Sequence, residues 1–135
     1  MIYLTRKEHF NAAHKLFNPD WSQEKNEATF GKCANPNWHG HNYNLFVTLR
    51  GEINKETGYL YDAKKLSTLI TEQVLDKVDH RNLNLDVDFM QGKICTTENL
   101  AIGIWNQIAP HIEGAELHAI KLFETDNNFV EYFGD

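Results

Sequence analysis

The amino-acid sequence predicts an α+β domain, with elements in the order β-β-α-α-β-β: an antiparallel sheet with two helices on one face. Three observations carry that prediction. Residues 2–14 and 39–50 alternate aromatic or β-branched residues with polar ones at the two-residue period of a strand. Residues 63–78 and 97–108 repeat their apolar side chains at helical spacing instead. The C-terminal stretch then returns to strand-like patterning around a polar turn.

The first strand places Ile2, Leu4 and Phe10 on the same parity as His14, so His14 is expected on the buried side, with Tyr3, Thr5, Lys7 and His9 opposite. Phe17 to Ala28 is polar and contains Pro19, and reads as a loop with one helical turn that covers a site. The second strand begins at His39. Gly51 to Tyr61 carries two glycines and an asparagine, which predict a wide turn into a short strand. Asp62 is the expected N-cap of a helix from Ala63 to about Val78, with Leu66, Leu69, Ile70 and Val74 on its apolar side. Thr97, Glu98, Asn99 and Leu100 open the second helix, Ala101, Ile104, Trp105 and Ile108 form its stripe, and Pro110 marks its end. Ala115–Thr125 and Phe129–Phe133 form a hairpin across Asp126, Asn127 and Asn128. Only two helices cover this sheet, and its open edges invite assembly through strands.

A length of 135 residues suits one domain, residues 1–135, and 41% hydrophobic with 24% charged residues is ordinary for a globular chain. The net charge of −6 argues against nucleic acid or an anionic membrane as partner, yet leaves room for a basic pocket that takes a small anion. Cys33 and Cys95 are too few for a disulfide framework, and the N-terminal residues lack a signal-peptide pattern, so a cytoplasmic location is expected. No apolar run reaches the roughly 18 residues of a membrane span.

The chemistry is concentrated between Gly31 and Tyr43. His39 and His41 lie two apart in a strand, so both imidazoles face the same way, and Gly40 between them leaves space on the other face. A catalytic zinc usually takes three protein ligands and keeps one position open, and His14 is the candidate third. Cys33 sits in a polar Gly-Lys-Cys-Ala-Asn-Pro loop, where a thiolate general base is one reading and a small buried hydrophobe the other. Asp79 and His80 are either a helix stop beside a surface imidazole or a proton relay, in which the carboxylate fixes the imidazole's tautomer. Glu124 ends an apolar strand on the side of Ile120 and Leu122; aimed inward, it would accept two parallel N–H bonds from an amidine-like group. Thr96, Thr97 and Glu98 either cap the second helix or contact a heterocycle.

Together, Phe10-Asn11-Ala12-Ala13-His14, Gly31 to Tyr43, Asp79-His80-Arg81-Asn82-Leu83, Thr96-Thr97-Glu98-Asn99 and Glu124 to Asn128 resemble the motifs of the 6-pyruvoyl-tetrahydropterin synthase family, in order and along nearly the whole chain. The resemblance implies the tunnelling fold (T-fold), with trimers closing a barrel, two trimers stacked as a homo-hexamer, and active sites between subunits. It implies Zn2+ on His14, His39 and His41, a catalytic relay of Cys33, Asp79 and His80, and a pterin anchored by Glu124 with Thr97 and Glu98 nearby. The implied activity is that of a lyase converting 7,8-dihydroneopterin triphosphate to 6-pyruvoyl-tetrahydropterin with release of triphosphate. The alternative branch makes 6-carboxy-5,6,7,8-tetrahydropterin for queuosine synthesis and releases acetaldehyde as well. The spacing of Cys33 and His39 is similar to the pyruvoyl-forming branch, whereas Tyr61-Asp62-Ala63 is closer to the carboxy-forming one, and Trp38 replaces the small residue often found there. A non-catalytic pterin-binding member would not need Cys33, Asp79 and His80 together.

Overall fold

A computed structural model describes residues 1–135. Strand β1 (Ile2–His14) pairs antiparallel with β2 (His39–Gly51) along its full length, from Ile2 opposite Gly51 to His14 opposite His39. β4 (Glu116–Thr125) lies antiparallel on the other side of β2, and β5 (Asn128–Tyr132) closes that edge. A two-residue strand, β3 (Arg81–Asn82), joins the outer edge of β1 in parallel, giving the order β3-β1-β2-β4-β5. The sheet is therefore mixed rather than purely antiparallel. Nothing in so short a segment signals a strand; backbone bonds to β1 from the chain leaving a helix create it.

Between β1 and β2 the chain forms helix α1 (Gln23–Phe30), capped by Ser22, and a 3-10 turn, Gly31–Ala34. This helix is longer than the single turn expected, and Asn26 explains it. Its buried side-chain amide accepts from Asn18 N and donates to the carbonyls of Asn18 and Ser22, fastening the helix to the loop before it. The short strand expected before Tyr61 is absent; residues 55–61 form turns, in which Asn54 accepts from the backbone of Glu56 and Thr57.

Helix α2 runs Ala63–Ile70, widens into a π-helical turn at Thr71–Leu75, and finishes as Asp76–Val78. Asp62 caps it through bonds from the backbone N–H groups of Lys64 and Lys65. Its buried residues Leu66, Ile70, Val74 and Val78 recur every fourth position, a row that drifts by about 40° per repeat on a 3.6-residue helix. The wider turn absorbs that drift and keeps the row on the sheet. Helix α3 (Thr97–Ile108) adds Leu100, Ala101, Ile104 and Ile108. Both helices lie over the face carrying Phe10, Ala12, Tyr43, Leu45, Val47, Leu49, Ile120 and Leu122. Each fully buried Leu or Ile contributes about 1.5–3 kcal/mol relative to exposure, so this layer is the main reason the two helices dock. The opposite face, with Tyr3, Lys7, Phe46 and Phe129, has no helix over it.

β4 departs from regular register twice, between Leu117 and Ala119 and between Phe123 and Thr125. The second irregularity leaves Glu124 as the extra residue opposite β5. No helix is long and apolar enough to cross a membrane.

Candidate metal centre and pterin site

The pairing of His14 with His39 follows from the β1–β2 register, and alternation adds His41 on the same face. Their ring centroids stand 4.6 Å (His14 to His39), 5.1 Å (His14 to His41) and 5.0 Å (His39 to His41) apart. One ligand atom from each lies within 4.8 Å of the others. His14 is buried, and its Nδ1 is 2.7 Å from the backbone carbonyl of Cys95. A carbonyl only accepts, so Nδ1 carries the proton and Nε2 presents its lone pair inward. That Nε2, both ring nitrogens of His39 and Nε2 of His41 are buried without a hydrogen-bond partner. Burial lowers the pKa of both His14 and His39, holding them neutral, the form in which imidazole binds a metal. Three imidazoles, each with a buried ring nitrogen that lacks a hydrogen-bond partner, fit Zn2+, the tetrahedral ion that takes nitrogen donors and leaves a position for another ligand.

Glu124 stands beside this group. Its Oε2 accepts from the hydroxyl of Thr97, and its Oε1 lies 3.2 Å from Nε2 of His41, an ion-pair distance without the angle of a hydrogen bond. Glu124 shares the parity of Ile120 and Leu122, which places it on the face of the histidines, and the β4 bulge falls at this same residue. Thr96 supplies the helix cap, accepting from Asn99 N, which frees Thr97 for Glu124. Glu98 is exposed and makes neither a hydrogen bond nor an ion pair.

Cys33 is half-buried in the 3-10 turn. Its carbonyl accepts from Leu16 N at 2.7 Å, tying the turn to the chain just past His14. Asp79 and His80 lie elsewhere, bracketing Asn11 on the outer edge of β1. Asp79 Oδ1 accepts from Asn11 N at 2.9 Å, His80 N donates to Asn11 O at 2.6 Å, and Asp79 Oδ2 is 3.1 Å from His80 Nδ1. The Asn11 N–H holds the Asp79 carboxyl below its usual range. His80 has a left-handed backbone, φ 60, and its side chain is 83% exposed. Within one chain no hydrogen bond or ion pair joins His80 to Cys33.

Three features of the site escaped sequence reasoning. The Cys95 carbonyl had no signal, because backbone partners across 81 positions depend on how α3 is approached. Tyr43, buried with its ring 5.8 Å from that of His41 and 6.3 Å from that of His14, was legible from the same alternation that places His39 and His41. Lys15 packs over the rings of Phe17 and Trp38, at 4.9 and 4.5 Å, and Trp38 itself has a left-handed backbone, φ 67. These three residues border a cavity of about 600 Å3.

The family model described as 6-pyruvoyl tetrahydropterin synthase matches residues 3–135. The chain belongs to that family. The 6-pyruvoyl tetrahydrobiopterin synthase of Dictyostelium discoideum is 41% identical to it over 99% of this chain and 97% of the relative. The solved 6-pyruvoyl tetrahydropterin synthase of Caenorhabditis elegans superposes with a TM-score of 0.94 at 39% identity, covering 99% of this chain and 96% of that one. The 6-carboxy-5,6,7,8-tetrahydropterin synthase of Haemophilus influenzae is more distant, at 26% identity over 98% of this chain and 99% of its own length. The architecture is thus the T-fold of the 6-pyruvoyl tetrahydropterin synthases.

Proposed function

We propose that this member of the 6-pyruvoyl tetrahydropterin synthase family is a Zn2+-dependent lyase that converts 7,8-dihydroneopterin triphosphate to 6-pyruvoyl-tetrahydropterin. The observation that carries the proposal is the meeting of three imidazoles, from His14, His39 and His41, each with a buried nitrogen free of hydrogen bonds, beside the carboxylate of Glu124. Bound there, the ion supplies Lewis-acid polarisation of the substrate's side-chain oxygens, which eases removal of the neighbouring carbon-bound proton. Glu124, held by Thr97, accepts the paired N–H groups of the pterin and fixes the ring relative to the histidines. Glu98, facing solvent within this chain, is assigned an outer polar contact to the same heterocycle.

Cys33 is the base that takes the carbon-bound proton, and the Asp79–His80 pair delivers one to the adjacent carbon. Loss of triphosphate and tautomerisation then complete a rearrangement with no net redox change. Since His80 is exposed and tied to Asn11, whereas Cys33 is tied to Leu16, the relay is assembled between subunits, in the homo-hexamer that the family resemblance implies. A cytoplasmic enzyme, with a free thiol at work, suits a reducing compartment.

Incubating the Zn2+-loaded protein with dihydroneopterin triphosphate and identifying the products by mass tests the reading. Triphosphate and 6-pyruvoyl-tetrahydropterin are expected. The 6-carboxy product with acetaldehyde would assign the chain to the other branch, and intact substrate would overturn both. The higher identity to a pyruvoyl-forming relative favours the first outcome. Asp62, whose sequence context pointed the other way, is occupied as the cap of α2.

A further inference from the structure

Glu124 has two carboxylate oxygens, and anchoring a pterin does not explain where one of them lies. Oε2 is taken by Thr97, whereas Oε1 stands beside Nε2 of His41 at 3.2 Å. The angle is wrong for an imidazole N–H donating to that oxygen, so the two atoms lie side by side, not one pointing at the other. Two donors on one tetrahedral zinc, with bonds of about 2.0–2.2 Å, stand roughly 3.4 Å apart. The observed separation is close to that of neighbouring ligands. The Glu124 backbone is offered by the bulge, where the extra residue in β4 has no partner in β5.

We propose that Glu124 fills the fourth position of the metal held by His14, His39 and His41 until substrate binds, and that the pterin ring draws it away. The inference rests on the metal-centre reading above. Its consequence is ordered opening: the ion is shielded while the site is empty, and pterin recognition itself exposes the position that the substrate's oxygens require. Thr97 keeps Oε2 fixed during the exchange, so only a small rotation of the carboxylate separates the two states.

The test uses protein loaded with Co2+, whose visible spectrum reports the donor set, and pterin lacking a 6-side chain, which has no oxygen with which to reach the metal. In the unsubstituted protein, saturating pterin should shift the Co2+ spectrum. Glu124→Gln should show an altered spectrum from the start that no longer responds to pterin. Its Zn2+ affinity, measured by chelator competition, should fall at least about tenfold. Glu124→Asp keeps the charge but withdraws it by one methylene, and should show the altered spectrum while staying folded. A spectrum that is the same in all three proteins, or that ignores saturating pterin in the unsubstituted one, overturns the proposal and leaves the histidine centre standing. Failure of the unsubstituted protein to bind either metal overturns the centre itself.

Discussion

Each imidazole of the site is governed by its immediate surroundings, and so are the consequences of changing it. Burial keeps His14 and His39 neutral below the ordinary histidine value of 6.5, where an unfolded chain would take up protons. The unfolded state then binds more protons, so stability rises with pH through this window. In metal-free protein it should be intact above about pH 6.5 and fall as the pH drops toward the lowered folded values. The midpoint of urea unfolding is expected to be lower at pH 5.5 than at pH 7.5, and His39→Gln should narrow the difference. Cys33 stands outside the three-histidine group and is assigned proton transfer alone. Cys33→Ala should therefore retain stoichiometric Zn2+ while turnover falls by at least about 100-fold, the contribution typical of a positioned general base. Loss of metal in that variant would make the thiol a ligand and overturn the assignment.

The elements are what bring these residues into register. β1 and β2 carry the three histidines of the site, and thirteen consecutive pairs set His14 opposite His39. A one-residue slip would send His39 and His41 to the other face. α2 is placed by its cap and its apolar row, and Asp62 supports two backbone N–H groups that would otherwise lack partners. Asp62→Ala should cost about 1 kcal/mol in chemical denaturation and leave metal binding unchanged. A loss of metal would show that the cap also positions the site.

A single chain leaves one face and the edges of its sheet open. One sheet face is covered by helices, while the other exposes Phe129, 47% accessible, its ring tilted against that of Phe123. Much of the outer edge of β1 and that of β5 lacks a strand partner. A homo-hexamer would bury this face and bring a neighbour's Asp79–His80 to Cys33. Light scattering should give a mass near six times the 15.7 kDa chain, and Phe129→Lys should shift it toward that of the single chain. A monomeric native protein would refute the shared site.

Patterning alone was enough to place the long strands, α3, the Asp62 cap and the His14–His39–His41 group, because each depends on a period or on neighbours in sequence. Alternation puts alternate residues on one face whatever surrounds the strand, and it would have revealed Tyr43 as well. Tertiary structure decided the rest. The parallel pairing of β3, the bulge at Glu124, the Cys95 carbonyl behind His14, and the docking of Asp79 and His80 on Asn11 all depend on backbone contacts between distant segments. Such contacts are made by groups that every residue carries, so no side-chain pattern records them.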